Sequence, residues 1–379
     1  MREFDAIVIG VGGMGSAAAY HLARRGQRVL GLDQFDIPHD FGSSHGLTRI
    51  FRMAYPEGAG YVPLLRRAYD LWRELETLSG ERLLIVTGCV DAGAPDSATV
   101  RGSLETCRQF GLEYQALDAR SLRARFPGYR LSERMAAVLQ PDGGFLLPEG
   151  CVANYVKAAQ ALGAEIHTRE RATGWDASRG GVEVRTERES YRARRLIITA
   201  GPWASQLCPV LQTLAVPERQ VVLWTQPLRP DVFQPGYFPV FNLEAPEGRF
   251  YGCPVYRVPG FKIGKYHHRR EDVDPDGVDR RIHPEDEAVL REGIRRYFPD
   301  ADGPALAMKT CMFTNSPDEH FILDAHPGVE NVYVAAGFSG HGFKFASVVG
   351  EILTDLALDG AAKYADQMGM FRIARFRAE

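Results

Sequence analysis

The chain has 379 residues, 45% hydrophobic and 25% charged, with a formal charge of −3. That length exceeds one ordinary core and calls for two domains, or one nucleotide-binding domain with a large insertion. The near-neutral balance leaves no basic footprint for nucleic acid, and the first apolar run, residues 6–10, is too short for a membrane span and follows no signal-like segment.

The chain opens as strand, turn, helix, strand. Ala6, Ile7, Val8 and Ile9 form a short apolar run closing on Gly10, as buried parallel strands do. A helix is predicted over 13–25, carrying Ala17, Ala18, Ala19, Leu22 and Ala23 and stopped by Gly26; a second strand over 28–32 ends at Asp33. Residues 34–60 are rich in Gly, Pro and Ser, which inside a compact domain marks a functional loop. A helix over 62–79 follows, with Leu64, Leu65, Ala68, Leu71, Trp72 and Leu75 at helical spacing. Short strands and helices mix over 83–147, and a helix over 150–162 and a hairpin strand over 182–188 lead to a second strand-to-glycine run, 195–201. Residues 221–265 are β-rich, a charged helix lies around 284–297, and 331–337 is a third strand-to-glycine run before a last helix over 343–358.

Three such strands scattered along the chain point to one α/β nucleotide domain assembled from separate segments, 1–85, 149–215 and 318–379. The β-rich remainder, 86–148 and 216–317, is expected to form a second, substrate-binding domain. The six cysteines show none of the spacings of a zinc site or redox dithiol, so no metal is expected. Their thiols read as reduced, in a cytoplasmic protein.

Gly10-Val11-Gly12-Gly13-Met14-Gly15 is a G-x-G-x-x-G fingerprint at a strand-to-helix turn. The first glycine permits the turn, the second admits a pyrophosphate to the backbone, and the third lets helix and strand approach closely. The helix N-terminus attracts the phosphate charge. Asp33, at the end of the second strand, stands where a carboxylate accepts a ribose hydroxyl. This predicts a dinucleotide; an acidic residue there suits NAD and FAD alike.

Three further stretches separate the two: residues 42–52 (GSSHGLTRIFR), 311–321 (CMFTNSPDEHF) and 337–345 (GFSGHGFKF). With the fingerprint they resemble the monomeric sarcosine oxidase and N-methyltryptophan oxidase family, which includes pipecolate oxidase, from residue 5 to the last helix. The resemblance implies a glucose-oxidase-type FAD domain, an antiparallel-sheet substrate domain, a monomer, and FAD joined through the thioether of Cys311. It implies oxidation of secondary α-amino acids by hydride transfer to the flavin, hydrolysis of the imine, and reduction of O2 to hydrogen peroxide. Arg52 and Lys344 match the pair that holds the substrate carboxylate; Arg offers a planar fork and Lys a compact charge. Arg49 matches a residue over the flavin ring, Lys262 the oxygen-activating lysine, Tyr251 an active-site tyrosine and His45 a loop histidine near the cofactor. Gln34, Ser44, Thr48, Trp203, Gly340, Gly342 and Phe343 join the residues expected around FAD.

The pattern departs from the family where the substrate's amine and side chain would lie. The 44–49 stretch (SHGLTR) replaces a His-His-Gly-Asp-Thr-Arg loop, and Phe313 stands in place of a tyrosine. In Lys265-Tyr266-His267-His268, both Tyr266 and His267 are candidates for an active-site histidine's place; His267 is the expected substrate contact. The sequence leaves open which secondary amino acid is oxidised, N-methylated or cyclic of the pipecolate or proline type. It also leaves open whether a carrier other than O2 takes the electrons.

Overall fold

β1 (Arg2–Ile9) is buried on both faces in the computed structural model, which describes residues 2–178, 180–257 and 260–376. Ala6 and Val8 pack into a helical layer, while Ile7 and Ile9 join a separate core on the opposite face. That is why the run is continuously apolar instead of alternating. β1 lies parallel between β2 (Val29–Leu32) and the strand Ser190–Ile198. The latter pairs in parallel with Val332–Ala336, and Glu165–His167 flanks β2. Leu30, Ile7, Leu196 and Val332 stand in one row across the sheet, so the predicted strand-to-glycine units converge although they are far apart in sequence. Their C-terminal ends open on one side, where open parallel sheets receive ligands. An antiparallel hairpin, Ala172–Ser178 with Gly181–Thr186, extends one edge.

Two glycines allow the turn from β1 into α1 (Gly13–Arg24). Gly10 has φ +88°, and a Cβ there would lie 2.6 Å from Thr199 O. A Cβ on Gly15 would lie 1.9 Å from Gly10 O, so only glycine lets the helix start against the strand it leaves. The opposite face of α1 packs on the helices Pro148–Ala161 and Ala346–Asp359. The last of these starts slightly later than the sequence predicts, after a single 3-10 turn, Phe343–Phe345.

A second sheet runs, edge to edge, through Glu271–Asp272, Val216–Thr225, Phe261–Lys265, Gly248–Cys253, Val240–Ala245, Cys89–Gly93, Ala136–Gln140 and Gln115–Asp118, with Ala305–Asn315 also paired to Val216–Thr225. The expected antiparallel sheet needs one correction: Val240–Ala245 pairs in parallel with Cys89–Gly93. These strands come from separate chain segments and need no hairpin, so the parallel sense costs no connection. The Gly-rich loop is held in place by specific bonds. The Gly46 and Leu47 amides donate to the Glu149 carboxylate at 2.7 and 3.0 Å, and Ser43 Oγ donates to Met312 O at 2.7 Å. Among the described residues no helix is long and apolar enough to cross a membrane, and no His, Cys, Asp and Glu cluster could hold a metal. Met1, Arg179, 258–259 and 377–379, which fall within segments predicted above, lie outside the described residues.

Candidate active site

A cavity of about 500 Å³ runs from the β1–α1 turn to the strands of the second sheet. Its near end is built by Gly10, Gly12, Gly13, Met14, Asp33 and Gln34, and Trp203 closes one side. Asp33 is buried, accepting from the Val11 amide at 2.9 Å and the Phe35 amide at 3.0 Å. Burial pushes its carboxyl above the usual range. Two members of the expected set do not line the cavity. Val11 is buried and ties the turn to Asp33, and Gly15 provides the close approach described above. Gly13 donates its amide to Ser44 Oγ at 3.0 Å, joining the fingerprint to the loop. Trp203 is fixed by donating Nε1–H to Asp276 at 2.7 Å.

The far end gathers Ser44, His45, Thr48, Arg49, Arg52, Tyr251, Lys262, Cys311, Phe313 and the 340–344 segment, which supplies Gly340, Gly342, Phe343 and Lys344. Arg49 Nη2 lies 3.8 Å from Cys311 Sγ and donates to Ser43 O at 2.8 Å, while Nη1 donates to Thr48 O at 2.9 Å. The cysteine is buried with a fixed cation beside it. Lys262 Nζ donates to Gly46 O at 2.7 Å, Thr48 O at 2.9 Å and Thr48 Oγ1 at 3.2 Å, and sits 5.2 Å from the Trp224 ring centroid. Burial and then neighbouring Arg49 lower its pKa to about 8. Its apolar neighbours Phe261 and Ile263 point the other way, into the core of the second sheet. His45 is buried with both ring nitrogens lacking partners among the described residues; burial, then Arg49, lower its pKa to about 3, so the imidazole is neutral. Burial also raises the Tyr251 phenol.

Arg52 and Lys344 flank one tyrosine: Arg52 Cζ lies 4.8 Å and Lys344 Nζ 5.1 Å from the Tyr55 ring centroid. Both cations line the cavity and both are buried. Neither is idle. Arg52 Nη2 donates to both oxygens of Glu57, at 2.7 and 2.8 Å, and Nη1 lies 3.7 Å from Asp91. Lys344 Nζ donates to His341 O at 2.7 Å and sits 3.4 Å from Tyr55 Oη. Burial, then Arg52, lower the Lys344 pKa to about 7.

One expected substrate contact is displaced. Tyr266, not His267, lines the cavity. His267 has φ +51°, which turns its ring outward to Glu218 at 2.8 Å and Glu319 at 3.1 Å, and these carboxylates raise its pKa to about 9. Tyr266 packs edge-on against Tyr251 at 5.2 Å and lies 5.7 Å from Phe313. Tyr55, Glu57, Asp91, Arg249 and His341, all around the two cations, escaped the sequence reasoning. Period-two alternation from Tyr251 marks Arg249, which shares its face of the strand.

The residues present fit a dinucleotide. The two ends of the cavity offer different chemistry, glycines and a helix N-terminus at one and a cluster of cations at the other. A Cβ at Gly340 would fall 2.4 Å from the Phe313 ring, so that glycine keeps the far wall open and close-packed. The unpartnered His45 nitrogens are polar groups awaiting a ligand.

The model of one family, FAD dependent oxidoreductase, matches residues 5–356. The chain belongs to that family. It binds FAD and groups with the monomeric sarcosine oxidases and N-methyltryptophan oxidases. The monomeric sarcosine oxidase of Streptomyces avermitilis is 44% identical, covering 99% of this chain and 98% of its own. That of Bacillus sp. (strain B-0618) is 40% identical over 98% and 96%. The N-methyl-L-tryptophan oxidase of Yersinia pestis (strain Pestoides F) is 34% identical over 99% and 100%. Among solved structures, NikD, an unusual amino acid oxidase essential for nikkomycin biosynthesis, superposes with a TM-score of 0.84 at 25% identity, covering 98% of each chain. L-proline dehydrogenase from P. horikoshii superposes at 0.85 and 21% identity, covering 99% of this chain and 98% of its own, a likeness of fold.

Proposed function

We propose that this enzyme oxidises a secondary α-amino acid, N-methylated or cyclic, and passes the electrons to O2 with formation of hydrogen peroxide. One observation carries the reading: Arg52 and Lys344 converge on Tyr55 in the same cavity whose wall holds Cys311, Arg49 and Lys262. Two buried cations on one cavity can receive a carboxylate once Arg52 exchanges Glu57 for it.

FAD, when bound, supplies the two-electron acceptor. Gly10, Gly12, Gly13, Met14, Asp33, Gln34 and Trp203 would hold its nucleotide portion, Ser44, Thr48 and Arg49 would line its other end, and Cys311 would anchor it through a thioether. The chain's own groups then do the rest. Arg52 and Lys344 hold the substrate carboxylate, and Tyr251, Tyr266 and Phe313 enclose its body and exclude water. The surrounding positive charge disfavours an ammonium, so the amine is bound as the free base with its lone pair available. Lys262, fixed by three acceptors, places a cation where the first electron on O2 makes negative charge. We read the enzyme as a monomer and, from its six buried, unpaired cysteines, as cytoplasmic. Residues 1–85, 149–215 and 318–379 form its cofactor-binding part, and 86–148 and 216–317 its substrate part.

The test is peroxide formation with sarcosine, N-methyltryptophan, pipecolate and proline, beside matching amines that lack the carboxylate. The proposal expects O2 consumption with at least one acid and none with its decarboxylated counterpart. Equal turnover of acid and amine would remove the role of Arg52 and Lys344.

A further inference from the structure

Arg249 is a cation beside this site that the proposed function leaves unused. It lies on the strand Gly248–Cys253, two residues before Tyr251. Its Nη2 donates at 2.5 Å to Glu57 Oε1, the same oxygen that accepts from Arg52 Nη2 at 2.7 Å. Its Cζ lies 4.4 Å from the Tyr266 ring centroid, and its buried Nε has no partner among the described residues. Tyr266 is wall to the cavity on one side and to an outer pocket of about 560 Å³ on the other, and Arg249 lines the outer pocket. Glu57 is thus a carboxylate held between two guanidiniums, one on the inner cavity and one on the outer pocket.

Charge balance gives this arrangement a purpose. With Lys344 protonated, Arg52, Arg249 and Lys344 face Glu57 and Asp91, so the cluster lacks one negative charge, which a monocarboxylate substrate supplies. When that carboxylate takes the fork of Arg52, Glu57 loses its partner. A buried carboxylate left without a cation opposes the exchange. We propose that Arg249 is a positioning residue for substrate binding, holding Glu57 while Arg52 turns its charge to the substrate carboxylate. This role rests on the carboxylate site proposed above.

A double-mutant cycle on the FAD-loaded enzyme tests it. The readout is the dissociation constant of benzoate, a carboxylate without an amine, from its perturbation of the flavin absorption. Arg249→Gln weakens benzoate by about tenfold or more, because Arg52 is then the one guanidinium bonded to Glu57 among the described residues. Arg249→Lys restores most of the loss. In a Glu57→Gln background the same Arg249→Gln change has little effect, since no carboxylate remains to be held. Arg249→Met, which keeps an apolar stem against Tyr266, repeats the comparison should the Gln variant not retain FAD. Equal weakening in both backgrounds would make Arg249 a plain attractive charge, and no weakening in either would make it structural; both overturn the proposal. A wild-type enzyme that binds no benzoate, and whose turnover ignores the substrate carboxylate, overturns the carboxylate site itself and is recognisable before any variant is made.

Discussion

Lys344 gives the most direct handle on the carboxylate site, because its charge is tunable near neutral pH. Burial and then Arg52 lower its pKa to about 7, whereas His45 and His341 are lowered to about 3 and stay neutral across the range that matters. In the free enzyme Lys344 is therefore protonated below about pH 7 and neutral above it. A carboxylate binds the protonated form more tightly, so binding weakens as pH rises past about 7 and levels off, by roughly thirtyfold between about pH 6 and 9, once the lysine has lost its proton. Replacing Lys344 by Met removes the charge itself. That costs about 2 kcal/mol or more, roughly thirtyfold in benzoate affinity at about pH 6. The variant's dissociation constant is then nearly flat with pH. Lys262 has a pKa of about 8 and titrates in the same window, so the series is repeated with Lys262→Met, which shifts absolute affinity but keeps the slope. The assay is a flavin-absorbance titration with benzoate, whose lack of an amine removes the substrate's own titration from the profile. A wild-type profile flat from about pH 6 to 9, or an unchanged slope in Lys344→Met, would refute the assignment. Linkage to folding has a fixed sign. The unfolded chain binds the Lys344 proton more tightly, so burying this group costs stability below about pH 7, and that cost is lifted as pH rises from there to the lysine's ordinary pKa.

Further expectations follow from single residues. Lys262→Met slows reoxidation of the reduced enzyme by O2 far more than its anaerobic reduction, measured by stopped-flow absorbance; equal slowing of both would cancel the oxygen role. Cys311→Ser releases its flavin into the supernatant on acid precipitation, while wild type keeps the colour in the pellet; release from both would show that no thioether forms. Gly15→Ala places a Cβ 1.9 Å from Gly10 O, so the variant loses FAD and melts several degrees lower, as a loss of a few kcal/mol implies. A fully flavinylated Gly15→Ala enzyme of unchanged melting temperature would contradict the packing described for the turn.

Much of the fold was legible because its signals are local. The glycine fingerprint, the doubly buried β1 and the apolar faces of the helices follow from spacing and composition alone. The pairing of Val240–Ala245 with Cys89–Gly93 was not, since nothing in either strand records the direction of a partner from a distant segment. Within the site, Arg49, Arg52, Lys262, Cys311 and Lys344 were legible through motif-bearing stretches, and the cavity collects them all. His267 misled because one positive φ in a turn reverses which of two neighbouring side chains faces inward. Glu57 sits in an irregular loop without periodicity, and its tie to Arg249 spans two sheets' worth of chain, so no spacing announces that Arg52 is already paired.

The central claim is tested most directly by the visible spectrum of the purified enzyme under anaerobic conditions, before and after addition of a secondary amino acid. The expected result is a flavin spectrum bleached by at least one N-methyl or cyclic amino acid and restored, with peroxide, when O2 is admitted. A flavin spectrum that no secondary amino acid bleaches, with the enzyme folded and FAD fully bound, would contradict it.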